Sequence, residues 1–312
     1  LALEEYALTV LKRDLIMLWR NAPSVIIGRN QNAAEELDMD YIRENAIPVI
    51  RRQSGGGAVF HDLGNINYTL IHLMGRDDFS NYGKFTAPVC DFLRGLGVDA
   101  RLEGRNDLVI GGMKFSGNAQ AAKNGRIMHH GTILFDADVA RLAKALKPRA
   151  AKIESKGVKS VSARVTNAAR HLPKPMSVDT FFSRLALYFQ NSDLCTGLYE
   201  LTDADIKGVQ KLVAEKYSQW AWNIGQSPPY DFEKTARFPY GIVDIRLRVS
   251  RGIIEQMHIL GDFFGILEVT ELSGRLQGVR HSREAIADAL TGISISDYIH
   301  GMTREAFLDL IV

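Results

Sequence analysis

Apolar residues in this chain fall into short runs cut by glycine, proline and polar clusters, a texture that predicts many short strands with a few amphipathic helices between them. Residues 2–12 read as a helix. Residues 15–19 and 24–27 read as strands joined through the turn Asn21-Ala22-Pro23, the second ending at Gly28. A helix over 39–45 leads into a strand at 47–50. Residues 65–72 alternate Ile66, Tyr68 and Leu70 with Asn67, Thr69 and Ile71, the pattern of a half-buried strand. Between 82 and 96, Phe85, Val89, Phe92, Leu93 and Leu96 recur at helical spacing, and Gly97 marks the stop. Cys90 lies beside that stripe and reads as a small packed residue.

Glycine-punctuated strands follow at 100–102, 108–110, 114–121 and 126–135, then a helix over 138–146 capped by Asp136 or Asp138. Amphipathic helices are expected at 177–190, opened by Ser177, and at 203–217, opened by Thr202 or Asp203. Beyond them come a hairpin (238–249 and 253–259) and helices at 282–290 and 303–311. Strands joined by tight turns with helices interspersed predict an α+β fold of mixed or antiparallel sheets, not a doubly wound parallel sheet.

Two stretches break this texture. Residues 147–174 are basic and rich in small residues without a period, around Arg149 to Ser160. A loop that long in a compact domain suggests either a mobile cationic flap near an anionic ligand or a solvated linker. Pro228-Pro229 is the best boundary, dividing the chain into 1–227 and a smaller α+β unit at 228–312, with a hinge expected at 226–230.

With 312 residues, 46% hydrophobic and 24% charged, the chain has enough material for a large core. A net charge of +2 argues against a general nucleic-acid binder, so basic clusters are read as local sites. Two cysteines, Cys90 and Cys195, provide no disulfide framework and suit a reducing compartment. No apolar run reaches the length of a membrane span, and no secretory signal is visible. The cytoplasm is the default compartment. The chain opens at Leu1 inside an expected helix, as though trimmed.

The candidate chemistry gathers around Arg51-Arg52-Gln53-Ser54-Gly55-Gly56-Gly57-Ala58-Val59-Phe60-His61-Asp62, between two expected strands. Three glycines let the backbone bend and approach a ligand, and two guanidinium forks beside exposed N–H groups suit a phosphate or carboxylate. A glycine-rich turn with solvated arginines is the plainer reading. The P-loop spacing, the dinucleotide fingerprint and a serine-hydrolase elbow are all absent, and no histidine pair has helical zinc spacing. Lys114, in Gly111-Gly112-Met113-Lys114-Phe115-Ser116-Gly117, starts a strand among small residues and suits a point charge on phosphate or carboxylate oxygens. Just before it, Asn106 offers a donor and Asp107 a carboxylate for magnesium. In His129-His130-Gly131-Thr132, strand alternation puts His130 and Thr132 on one face and His129 on the other.

Together RRQSGGGAVFHDLGNIN, GRNDLVIGGMKFSGNAQ and HHGTILF, in this order and spacing, resemble the bacterial type of lipoate–protein ligase, in a superfamily shared with biotin–protein ligases and octanoyltransferases. The resemblance extends through Val165-Thr166-Asn167 and WAWNIGQSPPY into the C-terminal unit, and the family's short N-terminal strand is missing here. It implies a catalytic domain of the biotin/lipoate-ligase kind with a small α+β accessory domain. It also implies that lipoate and ATP, with Mg2+, yield lipoyl-adenylate. The lipoyl group then passes to a lysine of an acceptor domain, in 2-oxoacid dehydrogenase complexes or the glycine cleavage H protein. By motif position, Arg52, Gly57, Ala58, Val59 and Phe60 would line the adenylate, and Lys114 would hold the acyl carbonyl and the α-phosphate. Arg51, Ser54, His61, Ser116, His130 and Thr132 are further lipoate-site candidates, and Asp107 is the metal candidate. The basic loop 149–165 matches the family's adenylate-binding loop. A transferase that uses a preformed activated donor, or a lipoate-binding protein without activity, are the alternatives. Retention of Arg51, Arg52 and Lys114 disfavours the second, and the histidine-bearing SGGGAVFHD form makes biotin ligation less expected.

Overall fold

The computed structural model describes residues 1–31, 33–146, 164–224, 232–250 and 252–312. Of the basic stretch 149–165, only the last two residues lie among them; the Pro228-Pro229 boundary and the 226–230 hinge lie outside the described residues.

Among the described residues, nine strands build two sheets in the first two-thirds of the chain. Six are antiparallel, in the order β1 (Leu15–Trp19), β5 (Asn65–Leu73), β9 (Arg126–Leu134), β8 (Met113–Lys123), β7 (Asp107–Ile110) and β6 (Ala100–Glu103). In the smaller sheet, β2 (Ser24–Ile27) runs parallel to β3 (Val49–Arg51) and antiparallel to β4 (Val59–His61). The glycine motif was expected to be wholly a connection, but its last residues form β4. Phe60 supplies the reason, because its side chain is buried with Val25, Ile27 and Ile47 in the small core behind this sheet.

One face of the large sheet packs against the helices Tyr82–Gly95 and Val178–Gln190. Ile66, Tyr68 and Leu70 point into that core, where Phe135 and Phe181 stack with centroids 4.4 Å apart. Cys90 is buried there too, as expected. β5 is not half-buried, however. Part of its opposite face is covered by α1 (Ala2–Tyr6) and the wider π-helical turn Ala7–Leu11 that continues it, so Thr69 is buried against Glu4, while Asn67 is buried in the floor of a cleft. A burial pattern of this kind forces such side chains to find hydrogen-bond partners inside the protein.

The caps follow from local chemistry. Asp138 accepts from the amides of Ala140 and Arg141, Ser177 accepts from Thr180, and Thr202 with Asp205 forms a reciprocal capping box. Residues 232–311 have their own core under an antiparallel sheet of β10 (Phe232–Phe238), β11 (Gly241–Ser250) and β12 (Ile253–Gly261). Two of these elements escaped the sequence pattern. The edge strand β10 is mostly exposed, and the helix Val269–Leu276 buries only Val269, Leu272 and Leu276. This unit rests on the glycine motif. Gly261 N donates to Asn30 O at 2.7 Å, Arg29 pairs with Glu268, and Phe263 and Phe264 pack against Gly55 and Gly56. Among the described residues no helix is long and apolar enough to cross a membrane.

Candidate active site

A cavity open to solvent lies between the glycine motif and the large sheet. Its floor follows a row across the strands: Trp19 pairs with Asn67, Asn67 with Thr132, and Gly117 N donates to Thr132 Oγ1 at 3.2 Å. Lys114 and Asn106 stand at one end of this row, Trp19 and His61 at the other. Opposite the floor are Ile26, Arg52 and the backbone of residues 56–59.

The motif takes its shape from its two arginines. Arg51 is buried, and all three guanidinium nitrogens donate to main-chain carbonyls: Nε to Trp222, Nη1 to Gly28, Arg29 and Gln31, and Nη2 to Asn223. It does not line the cavity. Arg52 does, yet its guanidinium is also turned onto its own loop, with Nη2 donating to Gly55 O at 2.6 Å and Gly57 O at 2.8 Å, and Nη1 to Ile26 O. Burial holds both guanidinium groups down at about 10. The expectation of two forks free to grip an anion is therefore corrected. Arg52 is spent on carbonyls that the tight triple-glycine turn leaves without a sheet or helix to pair in, and Arg51 on carbonyls of residues 28–31 and 222–223. Gly56 has φ of 91°, a conformation that suits glycine, and a Cβ on Gly57 would meet nothing within 4 Å, so the backbone there is open to a ligand.

Lys114 is the half-exposed cation facing this open backbone from β8. Its Nζ lies 2.7 Å from Asp107 Oδ1, and its main chain is bound on both sides to the segment 164–166. Asp107 stands behind the lysine and is not part of the cavity wall. No group of three or more metal-ligating side chains occurs among the described residues. Asn106 and Asn118 do line the wall, locked together through each other's backbone. Asn118 Oδ1 also accepts from Tyr68 Oη, and a Cβ at Gly131 would come within 2.1 Å of that oxygen.

The histidines divide as strand alternation requires. His129 is stacked on Phe85 in the helix-side core, centroids 4.9 Å apart, while His130 and Thr132 line the cavity. His61 also lines it, beside Trp19, and its Nδ1 accepts from Asn21 Nδ2 at 3.0 Å. Burial, reinforced by the Arg52 charge, pushes His61 down to about 3, so the ring is neutral. Of the other expected residues, Gly57, Ala58 and Val59 line the cavity. Phe60 and Ser116 are buried behind it, and Ser54 lies one layer back, 2.6 Å from His130 Nε2. Trp19, Asn67 and Asn118 escaped notice as wall residues. The signal was present: Asn67 and Asn118 are amides inside apolar strands, where a buried polar group needs a purpose.

Residues 1–190 match the model of the lipoyl protein ligase A/B catalytic domain, and residues 227–311 that of the bacterial lipoate protein ligase C-terminus. The chain belongs to the lipoyl protein ligase A/B family. It is 44% identical to lipoate-protein ligase LplJ of Bacillus subtilis over 315 aligned positions, covering 100% of this chain and 95% of that protein. Among solved structures, P. falciparum LipL1 in complex with lipoate superimposes with a TM-score of 0.75 over 99% of this chain and 93% of that one; at 23% identity it speaks for the fold. A lipoate-protein ligase A bound with ATP is 29% identical, with a TM-score of 0.62 over 72% of this chain and 92% of that one. The expected α+β catalytic fold with a small α+β C-terminal unit agrees with these neighbours, the expected hairpin of that unit being two strands of a three-stranded sheet.

Proposed function

We propose that this chain is an ATP-dependent lipoate–protein ligase that activates lipoate as lipoyl-AMP and transfers the lipoyl group to a lysine of acceptor domains. The observation that carries the reading is the cavity with Lys114 at one end and an apolar, aromatic end at Trp19, in a chain related over its entire length to a lipoate-protein ligase. In the first step a lipoate carboxylate oxygen attacks the α-phosphorus of ATP, and the bond from that phosphorus to the bridging oxygen breaks as pyrophosphate leaves. In the second, the neutral amine of the acceptor lysine attacks the acyl carbonyl. The acyl–oxygen bond breaks, AMP leaves, and the amine proton passes to solvent.

Neither step requires a nucleophile from the protein, so positioning and charge stabilisation are the tasks left to it. Lys114 would stabilise the negative charge that builds on the α-phosphate and acyl oxygens. The open backbone at Gly57 and Ala58 would seat the nucleotide side of the anhydride, and Val59, Ile26 and Trp19 would sheathe the acyl chain. Asp107, the partner of Lys114, would be the protein carboxylate offered to Mg2+, and the ion would supply charge neutralisation to the nucleotide. A thioester route is unsupported by the geometry: Cys90 is packed in the helix-side core, its thiol pushed up by burial to about 11, and neither cysteine lines the cavity.

The assignment of residues 1–227 to catalysis and 228–312 to an accessory role belongs to this proposal, supported by the two separate family matches. So do cytoplasmic residence and acceptors of the 2-oxoacid dehydrogenase and H-protein type. ATP–pyrophosphate exchange with lipoate, octanoate and biotin supplied separately tests the reading. Lipoate-dependent exchange is expected in the wild type, falling at least about 100-fold in Lys114→Ala. Absence of exchange with lipoate in the wild type would refute the ligase.

A further inference from the structure

Beneath the cavity a continuous chain of hydrogen bonds starts from a residue that does not itself line it. Glu4, on α1, is buried between the large sheet and the glycine motif. Its Oε1 accepts from Thr69 Oγ1 at 2.7 Å and lies 2.8 Å from His130 Nδ1. His130 Nε2 lies 2.6 Å from Ser54 Oγ, Ser54 Oγ accepts from Arg52 Nε at 3.0 Å, and Arg52 Nη2 reaches the carbonyls of Gly55 and Gly57. On the other side, Trp19 Nε1 donates to Thr69 Oγ1 at 3.2 Å.

Donor counting gives this chain a direction. Arg52 can only donate, so Ser54 Oγ is an acceptor there and has its own proton free for His130 Nε2. The ionised Glu4 carboxylate can only accept, which puts an imidazole proton on His130 Nδ1, and the Ser54 hydroxyl is then oriented to donate to Nε2. The carboxylate is ionised. Burial alone would raise it, but the hydrogen bonds from His130 Nδ1 and Thr69 Oγ1, with positive charge nearby, outweigh burial and hold it below the ordinary carboxylate range. A buried charge thus terminates a relay in which each link has one satisfied polarity, and its two branches end on opposite cavity walls, Trp19 and the glycine loop.

We propose that Glu4 is a positioning residue for acyl activation: through His130 and Ser54 it sets the Arg52 guanidinium and, with it, the Gly55 and Gly57 carbonyls that shape the nucleotide side of the cavity. The arrangement has the form of a serine–histidine–carboxylate triad, but Ser54 is 1% exposed and its oxygen is turned to Arg52, so it orients and does not attack. The inference rests on the ligase reading for its kinetic consequence, while the relay itself can be observed without substrate.

The test combines both. Long-range nitrogen–proton correlation spectra of the wild type, with His130 assigned by its loss in His130→Gln, should show the Nδ1-protonated tautomer. In Ser54→Ala that preference should weaken, and Ser54→Thr should restore it. In pyrophosphate exchange, Glu4→Gln and Ser54→Ala should each raise the KM for ATP about tenfold with a smaller effect on kcat, and the double variant should be no worse than the more impaired single one. A structural defect alone would lower the active fraction and leave the KM unchanged. A wild-type His130 protonated at Nε2, or multiplicative KM effects, or an unchanged KM in both variants, would overturn the proposal. A wild type with the Nδ1 tautomer but no lipoate-dependent exchange would refute the ligase reading and leave the relay standing.

Discussion

Asp107 Oδ1 lies 2.7 Å from Lys114 Nζ, behind the only residue motif in which a half-exposed cation of the large sheet meets the cavity among the described residues. Both side chains are more than a third exposed, so the pair contributes little to stability. Its value is directional. The carboxylate draws a flexible ammonium toward β7 and the Gly117 backbone, which fixes where an incoming phosphate would find it.

Asp107→Asn is accordingly expected to leave the unfolding midpoint within experimental error of wild type. Exchange should require several-fold more Mg2+ for half-maximal rate, because a neutral amide is a poorer ligand for a hard cation. A Mg2+ titration of exchange rate reads this directly. Coincident titration curves would remove Asp107 from the metal assignment.

Arg51 and Arg52 are adjacent and chemically alike, yet only the second touches the cavity. Arg51→Lys should therefore be a stability variant. A lysine has one donor centre where the native fork spans carbonyls of Gly28, Arg29, Gln31, Trp222 and Asn223, and buried carbonyls left unpaired cost about 1–3 kcal/mol each. Urea unfolding should show a loss of a few kcal/mol on that scale, with the KM for lipoate near wild type below the transition. A wild-type midpoint with a raised KM would instead make Arg51 a ligand-binding residue.

Acidification offers a third measurement. His61 is held neutral in the folded protein down to about pH 3, against 6.5 for the free side chain. As pH falls below 6.5 the unfolded chain takes up a proton that the folded one refuses, so stability should decline by up to about 1.4 kcal/mol per pH unit from this group. The Glu4 carboxylate acts in the same sense over a lower window: its contribution is full above 4.5 and is lost as pH falls toward about 2. Unfolding free energies at pH 7.5, 6 and 5 should therefore fall in the wild type and fall less in His61→Asn, the two proteins differing in slope below 6.5 only. Parallel lines would show that His61 titrates normally.

The chain's local grammar determined a good deal of this protein. Periodicity located the helix around Phe85, Val89 and Phe92, alternation sent His129 and His130 to opposite faces, and short polar caps such as Ser177 and Thr202 opened helices where expected. These features depend on neighbours a few residues apart, which is what sequence spacing records. The motif order RRQSGGG, GRND and HHGT likewise named the family before any contact was known.

What only the tertiary structure decided is who pairs with whom across long separations. Arginines beside three glycines look free for an anion until the carbonyls of residues 28–31 and 222–223 arrive to occupy Arg51. Glu4 is an unremarked acid near the chain's start until folding places it 2.8 Å from a histidine 126 residues away. Thr69 reads as the wet face of a strand until α1 covers it and Glu4 takes its hydroxyl. Each outcome turns on satisfying buried polar groups, a global requirement met by whichever partner the packed chain brings within reach, and no local pattern encodes that choice.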